Sequence, residues 1–175
     1  LRSGHIDFAI LVMRPGYKGA FLPQDKFSVT RLAGFQDIFI AGNDFSDLAG
    51  RSVTPGELCG YPFICMEPGT VTRQFLDDFL LQFHLAVSPD IELATTDLIT
   101  PMAANNLGVG FVPRAFARSA LEEGSVFQIR LTEIVPEREI CVISRTDTPL
   151  SLAGNAFLRL FSDFAEPSCI KKDCR

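Results

Sequence analysis

The segment 89–113, PDIELATTDLITPMAANNLGVGFVP, constrains the fold more than any other part of the chain. Its residues 91–95 alternate between apolar and polar side chains, which is typical of a strand with one buried face. Residues 98–103 then carry apolar side chains at helical spacing, and the apolar run 109–112 predicts a second strand that ends at Pro113. The segment therefore predicts a strand, a helix and a strand, which is the repeating unit of an α/β fold.

The start of this helix has two possible positions. Pro101 has no backbone N–H, so it is tolerated only in the first turn of a helix. Either Thr100 caps a helix whose first residue is Pro101, or the helix begins near Asp97 and bends. We favour the earlier start, in which the side-chain oxygens of Thr95 and Thr96 lie where the free N–H groups of the helix need a cap.

The position of this helix matters for ligand binding. A strand that feeds a helix brings the helix N-terminus to the carboxyl edge of the sheet, where free N–H groups and the helix dipole favour anions. Thr95 and Thr96 lie at such a junction, and Gly69, Thr70 and Thr72 lie at the equivalent junction one unit earlier. Ordinary helix capping needs one such residue per helix, so the excess at two matching junctions favours a binding site.

The rest of the chain continues the alternation of strands and helices. Apolar runs predict strands at 6–13, 35–41, 61–66, 126–131 and 138–145, while 27–32 is ambiguous. Capped or amphipathic segments predict helices at 55–58, 71–83, 115–121 and 152–164, and 1–4 has the pattern of a last helical turn. This order predicts an α/β fold with mainly parallel pairing, in which the polar run 42–50 connects two lobes.

Composition excludes several classes of protein. With 47% hydrophobic residues among 175, the chain can build a core and is not a disordered segment. Its net charge of -5 and its scattered basic residues argue against direct nucleic-acid binding, which needs clustered Lys and Arg. No apolar run approaches the roughly 20 residues of a membrane span, and no signal peptide opens the chain. We therefore expect a cytoplasmic protein without a membrane partner, and a fragment, because the helix at 1–4 lacks its beginning.

The search for catalytic chemistry finds little. Five cysteines without zinc spacing predict buried free thiols at Cys65 and Cys141, which fits a reducing compartment. His5 and His84 each lie beside a helix end and are interpreted as surface or structural residues. No nucleophile elbow, phosphate loop or zinc-protease motif occurs. The sequence therefore predicts no enzyme, no cofactor and no metal site.

Several segments along the chain together match the pattern of a known family. They are LRSGHIDFAILV at 1–12, DLAGRSVTPGELCGYPFI at 47–64, RQFLDDFL at 73–80, IELATT at 91–96 and MAANNLGVGFVP at 102–113. Each motif alone is weak, whereas their order and spacing are specific. With these segments the chain resembles the effector-binding (substrate-binding) domain of LysR-type transcriptional regulators.

This resemblance implies two Rossmann-like lobes, similar to those of type II periplasmic binding proteins, with the outer lobe incomplete. The implied boundaries are an outer lobe at 1–43 and 129–165, an inner, RD-II-like lobe at 44–128, and a tail at 166–175. The DNA-binding domain of the family and the first strand–helix–strand of its outer lobe have no counterpart in this sequence. The strand at 6–13 should therefore be an exposed sheet edge that promotes self-association.

The resemblance also implies a function and its partners. A small effector, often a carboxylate or another anion, would bind in the cleft between the lobes of a homo-oligomer (dimer or tetramer). DNA would be reached only through an upstream winged helix-turn-helix that is not in this chain. The family's cleft maps onto Gly69, Thr70, Val71, Thr72, Thr95, Thr96, Val112, Pro113, Met13 and Arg14 of this sequence. Arg14 and Arg73 are also candidates for a charged contact to the anion, with the alternative that Arg73 points to solvent from its helix.

Two other functions stay open on the same fold. A solute-binding protein of a transporter would carry a secretion signal upstream, whereas a winged helix-turn-helix there would exclude it. An enzyme could use a carboxylate or a thiol in the cleft, and loss of turnover in Cys65→Ser or Cys141→Ser would favour it. We favour the effector-sensing domain of a transcriptional regulator, in which the effector shifts the population between two arrangements of the lobes.

Overall fold

The computed structural model describes Leu1, residues 6–14 and residues 26–164. The predictions for the helix end at 1–4, for His5 and for the tail at 166–175 lie outside the described residues. In chain order the strands are β1 (Phe8–Met13), β2 (Phe27–Phe35), β3 (Asp37–Gly42), β4 (Ser52–Val53), β5 (Phe63–Met66), β6 (Ile91–Leu93), β7 (Val109–Pro113), β8 (Val126–Leu131) and β9 (Arg138–Arg145). The α-helices are α1 (Pro55–Leu58), α2 (Val71–Leu81), α3 (Ile99–Ala104), α4 (Arg114–Glu122) and α5 (Leu152–Phe164), and 3₁₀ helices cover Asn43–Leu48 and Thr96–Leu98.

The first of two compact units consists of Leu1–Phe35 and Glu137–Arg175. Its described strands form a three-stranded antiparallel sheet with the order β1-β9-β2. Ser151 caps α5, because its hydroxyl accepts the backbone N–H three residues later at 3.0 Å. Phe157 of α5 stacks on Phe8 of β1, with 5.4 Å between ring centroids. The buried apolar cluster of this unit is small and contains Met13, Phe27, Cys141 and Ile143.

The second unit, Gln36–Pro136, contains a six-stranded sheet with the order β4-β8-β3-β7-β5-β6. β5 pairs parallel with β6 and β7, and β4 pairs parallel with β8, while β3 pairs antiparallel with both β7 and β8. The prediction of mainly parallel pairing was wrong, since four of the seven strand pairings between described residues are antiparallel. The reason is that β3 runs against both of its neighbours, as β9 does in the first unit.

Two hydrophobic clusters cover the two faces of this six-stranded sheet. One packs α2 against the sheet through aromatic rings. The ring centroid of Phe39 in β3 lies 4.7 Å from that of Phe111 and 6.3 Å from that of Phe79. The other packs α3 and α4 against the alternate side chains of the same strands. Ile40 of β3 and Ile99 of α3 both belong to this cluster. Because the helices after parallel strands lie on opposite faces, the unit has a doubly wound α/β arrangement.

The second unit is wider than the predicted inner lobe, because it contains β3 and residues 129–136 in addition to 44–128. The polar run 42–50, predicted as a connection between lobes, forms the 3₁₀ helix Asn43–Leu48 inside this unit. Leu48 is fully buried there, so a mostly polar segment still contributes a side chain to the core. The assignment of the two units as outer and inner lobes stays a prediction.

Candidate functional site

The predicted site residues of the second unit lie at one edge of its sheet. β6, β5 and β7 are parallel neighbours, so their carboxyl ends meet there. Met66 at the end of β5 pairs with Leu93 at the end of β6, and the Glu67 N–H donates to the Leu93 carbonyl at 2.9 Å. At the end of β7, Pro113 pairs with Asp37 of β3. The loops that follow three strands therefore emerge side by side.

The turn after β5 carries the first group of predicted contacts. Pro68 and Gly69 occupy its centre, with Gly69 at φ +86°, and the Thr70 N–H lies 3.4 Å from the Glu67 carbonyl. A proline followed by a residue with positive φ is typical of a type II turn, which explains the glycine. Thr70 then caps α2: its hydroxyl accepts the Arg73 N–H at 3.2 Å and donates to the Glu67 carbonyl at 2.9 Å. One acceptor position of this hydroxyl is left for a ligand.

Val71 and Thr72 form the first turn of α2, directly after this cap. Val71 is 55% exposed although it is apolar, and Thr72 is half-buried. An apolar side chain that is open to solvent beside a polar turn suits the contact with the carbon skeleton of a small ligand.

The junction after β6 is built differently. The 3₁₀ helix Thr96–Leu98 leads directly into α3, which confirms the earlier helix start and leaves Pro101 in the first turn of α3. Thr100 is buried, and its hydroxyl donates to a carbonyl of α4 at 3.3 Å, so it is not the cap. The Thr96 hydroxyl lies 3.5 Å from the methionine sulfur at the end of β5. Thr95 is exposed and makes no capping bond with its side chain, which leaves its hydroxyl open to a ligand.

The guanidinium of Arg73 is already occupied. Its Nε lies 3.0 Å from Asp77 Oδ1, and its Nη1 lies 2.9 Å from Glu92 Oε1 and 3.2 Å from the Met66 carbonyl oxygen. Burial lowers the pKa of Arg73, but the hydrogen bonds to Glu92 and Asp77 outweigh burial, so the pKa is raised overall. Only 11% of this side chain is exposed. Arg73 therefore connects α2 to β6, and the hypothesis that it contacts an anion loses its support.

The remaining predicted contacts form two pairs. Val112 is fully buried in the cluster with α3 and α4, while Pro113 ends β7 and is half-buried. Met13 and Arg14 belong to the first unit, where Met13 lies in the buried cluster and Arg14 follows β1 with its side chain exposed. Pro113 is therefore more accessible than Val112, and Arg14 is more accessible than Met13. The assignment of all four residues to a ligand site stays a prediction.

The sequence patterns did not single out Arg114, the first residue of α4. Its N–H donates to the Gln36 carbonyl at 2.8 Å, and its Nη1 donates to Gln128 Oε1 at 2.5 Å. Arg114 is exposed and follows Pro113 at the edge where the three strands end. The same edge also carries an exposed acidic residue, Glu67. The signal that could have found Arg114 is a charged residue directly after a buried strand, in FVPR. A guanidinium in this position favours a carboxylate or phosphate over a neutral ligand.

The Cys65 and Cys141 thiols are unsuited to nucleophilic chemistry. Burial raises the pKa of the Cys65 thiol to about 12 and also raises the pKa of Cys141, so both thiols stay protonated near neutral pH. Among the described residues, no three His, Cys, Asp or Glu side chains gather where they could hold a metal ion. Within the same part of the chain, no helix is both long enough and apolar enough to cross a bilayer.

Comparison with known sequences adds a family. The model of the LysR substrate binding domain matches residues 1–166. A curated relative is the "Uncharacterized HTH-type transcriptional regulator YfiE" of Escherichia coli (strain K12), which is 32% identical over 94 residues. This match covers 54% of the chain and 30% of the relative, so the chain spans only part of the length of that protein.

Comparison with solved structures gives the same fold. The regulatory domain of CcmR from Synechocystis PCC6803, in complex with 2-PG, superposes with a TM-score of 0.76 at 19% identity, over 95% of this chain and 76% of that one. The effector binding domain of QuiR, in complex with shikimate, superposes with a TM-score of 0.71 at 14% identity, over 95% of this chain and 75% of that one. The predicted α/β fold of the type II periplasmic-binding-protein-like class is thereby confirmed.

Proposed function

The chain belongs to the LysR substrate-binding domain family, and we propose that it senses a small anionic effector on behalf of a transcriptional regulator. The family consists of effector-binding domains of regulators and not of enzymes, which sets the enzymatic alternative aside. Membership also favours a regulator over the solute-binding protein of a transporter, because the match spans residues 1–166.

One observation carries the proposal: the carboxyl ends of β5, β6 and β7 meet at one edge of the sheet. Gly69–Thr72, Thr95, Thr96 and Pro113 lie at or directly after these strand ends, and they are among the residues that the family resemblance maps to the effector cleft. The available hydroxyl of Thr95 and the remaining acceptor and backbone groups near Thr70 support a polar ligand. We propose that the effector binds across this edge, in the cleft between the lobes of the family fold.

An anionic effector is supported by the chemistry of the edge. Backbone N–H groups at the start of α2 favour a negative group, and the exposed Arg114 adds a cation that can donate two parallel hydrogen bonds. Shikimate, the ligand in the QuiR structure, is a carboxylate. We therefore propose a small carboxylate or phosphate rather than a neutral or cationic effector.

The complete protein would use this site to control transcription. We propose that it is a cytoplasmic homo-oligomer, dimeric or tetrameric, that reaches DNA through a winged helix-turn-helix outside this chain. Effector binding then shifts the population between two arrangements of the lobes and so changes how the DNA-binding parts are presented. The effector must bind one arrangement more tightly than the other, since equal affinities shift nothing.

The test is calorimetric titration of the complete protein with the best binder from a thermal-shift screen of small carboxylates and phosphates. The double variant Thr70→Val, Thr95→Val should weaken binding by about 1–3 kcal/mol through loss of the Thr95 hydroxyl as a donor to the charged group, since the Thr70 hydroxyl already donates to the Glu67 carbonyl. Thr54→Val is the matched control, because Thr54 caps α1 by accepting the Glu57 N–H at 3.1 Å, away from the proposed edge. Unchanged affinity in the double variant, with an intact circular dichroism spectrum, would mean that Thr95 does not contact the effector and that Thr70 is only a helix cap.

A further inference from the structure

A second surface of the Gln36–Pro136 unit has the properties of a ligand site. It is a cavity of about 540 Å³ along β3 and β8, bordered by the start of α4 and by residues 133–135. This volume falls within the range of small-molecule pockets, which is roughly 300–1,000 Å³. The threonines of the proposed effector edge do not line it.

Two arginines supply the charge of this cavity. Arg114 reaches it from the start of α4, and Arg130 reaches it from β8, where it pairs with Ser52 of β4. Both arginines are exposed, and neither makes an ion pair with any residue that the structure describes. Arg73, in contrast, is held by two carboxylates. The two cavity arginines are therefore charged donors whose natural partners, carboxylate or phosphate oxygens, have to come from outside.

The acidic residues of the cavity do not cancel this charge at its surface. Asp37 is only 1% exposed, so its carboxylate is withdrawn from a ligand. Glu133 accepts a hydrogen bond from the Thr132 hydroxyl and is half-buried. Gln128, whose Oε1 accepts from Arg114 Nη1 at 2.5 Å, fixes one guanidinium at the cavity wall. The most accessible charges are therefore positive.

The cavity also has an apolar part. Ile38 and Ile129 are buried beside it, Leu131 is half-buried, and Ile134 is 88% exposed. Burial of an exposed isoleucine against a ligand is favourable, since roughly 25 cal/mol is gained per Å² of apolar surface removed from water. A ligand that carries only an inorganic anionic group would leave this surface in water.

We infer that this cavity binds a second ligand, an organic anion with a carboxylate or phosphate head and a small apolar body. The head lies between the Arg114 and Arg130 guanidinium groups, and the body covers Leu131 and Ile134. Arg114 borders both this cavity and the proposed effector edge, whereas Arg130, Leu131 and Ile134 line only the cavity and the threonines lie only at the edge. The domain would then bind two different ligands, one at the effector edge and one in this cavity.

The experiment titrates the complete protein with phenyl phosphate, with inorganic phosphate and with benzoate, by calorimetry and by NMR of side-chain N–H groups. Phenyl phosphate should bind more tightly than inorganic phosphate, because only its ring covers the apolar part. Arg130→Gln and Arg114→Gln should each weaken phenyl phosphate binding about tenfold or more, as expected for loss of a charge-assisted contact. Titration should perturb the Gln128 side-chain amide in the wild-type protein.

Arg118→Gln is the matched control, because Arg118 is an exposed arginine of the same helix that does not line the cavity. It should leave the affinity within about twofold, as expected for a distant surface charge. Arg114→Lys and Arg130→Lys, which keep the charge, serve as second variants if a glutamine variant does not fold. Equal effects of Arg118→Gln and the two cavity variants, or no binding by the wild-type protein, would overturn the inference. Loss of phenyl phosphate binding in the Thr70→Val, Thr95→Val variant alone would assign the anion to the effector edge and overturn it as well.

Discussion

Strands β1 and β3 have the same length and are both mainly apolar, yet they are buried to very different extents. β3, DIFIAG, is buried at every position, whereas β1, FAILVM, is buried only at Met13. β3 has β7 and β8 as neighbours and helices on both faces of its sheet, while β1 pairs only with β9 among the described strands. An apolar run therefore predicts a strand, but its burial depends on what the rest of the chain packs around it.

The same contrast separates the two units. The Gln36–Pro136 unit has two extended apolar clusters, one on each face of its sheet. Among the described residues of the other unit there is one cluster of four buried residues, and Ile10, Leu11 and Val12 are between 36% and 40% exposed. Stability should therefore be concentrated in the Gln36–Pro136 unit, and local opening should be easier in the other one.

The largest expected effect comes from removing a ring in each unit. Phe39 is buried among three other phenylalanines, so Phe39→Ala should lower the free energy of unfolding by about 3–5 kcal/mol. Phe157, which is 39% exposed and stacks on Phe8, should cost about 1 kcal/mol or less when changed to alanine. Native-state hydrogen exchange, read separately for each unit, measures the two losses. Equal losses of unfolding free energy in the two variants would mean that stability is not concentrated in the Gln36–Pro136 unit.

A smaller effect is expected from adding one methyl group in each unit. A Cβ on Gly42 would lie 2.4 Å from the Ala103 carbonyl oxygen and 2.2 Å from Asn106 Oδ1, so Gly42→Ala should destabilise by about 1–3 kcal/mol. A Cβ on Gly34 would meet the Arg31 guanidinium at 2.6 Å, which is the flexible end of a side chain. Gly34→Ala should therefore change stability by less than about 0.5 kcal/mol. Urea unfolding of the two variants measures this, and a reversed order would show that β3 can shift.

Local signals explain how much of the fold the sequence predicted. The caps at Thr54, Thr70 and Ser151 each accept a hydrogen bond from an N–H three residues later, within the helix that the sequence predicted. A helix cap or a tight turn involves residues two or three positions apart, so its signal is complete within a short stretch. The same holds for Gly69, whose positive φ follows from a four-residue turn.

Long-range features could not be predicted from local patterns. The direction of β3 depends on pairing with β7 and β8, which lie far along the chain, and periodicity is the same for both directions. Arg73 had the pattern of an exposed helix residue, but sheet pairing brings Glu92 within 2.9 Å of it. The role of Arg114 in a charged cavity could not be predicted, because it depends on Gln128 and Arg130, which β8 places beside it in the folded chain. For the site, the sequence therefore predicted which loops converge but not which charges remain free.

Among the described strands, β1 lies at the edge of its sheet, and we expect this edge to make the chain associate with itself. No charged residue interrupts Phe8–Met13, and such an edge presents unpaired backbone groups to another chain. We expect association at tens of micromolar, roughly the range in which such edges cause it. Leu11→Lys should weaken association about tenfold, which corresponds to roughly 1.4 kcal/mol.

Sedimentation equilibrium measures this association. Leu107→Lys is the control, because Leu107 is an exposed apolar residue of the Gln36–Pro136 unit and lies outside any strand. It should leave the association unchanged. A monodisperse wild-type monomer at these concentrations would contradict the prediction, and so would an equal effect of both lysine variants.

The smallest expected effect concerns two exposed ion pairs, one in each unit. In the unit that contains β9, Arg145 holds Asp147 with two hydrogen bonds of 2.6 and 2.7 Å, which lowers the pKa of Asp147 to about 2. In the Gln36–Pro136 unit, Arg51 lies 2.5 Å from Glu57, and this hydrogen bond lowers the pKa of Glu57. Both carboxylates are at the surface, where water and salt screen the attraction.

A carboxyl pKa that is lower in the folded state than in the unfolded state makes the protein less stable as the pH falls through that range. Any stabilisation from the Asp147 pair is present above the pKa of the unfolded chain, about 3.9, and is lost as pH falls through about 2. Because the pair is exposed, we expect the pKa to change in Arg145→Gln while the unfolding midpoint at neutral pH stays the same. NMR titration of the Asp147 carboxyl carbon should give a pKa of about 2 in the wild-type protein and a higher pKa in the variant, where the Thr148 hydroxyl still donates to the carboxylate. A clear drop of the midpoint in Arg145→Gln, without one in Arg51→Gln, would mean that the less densely packed unit relies on its surface charges more than its packing indicates.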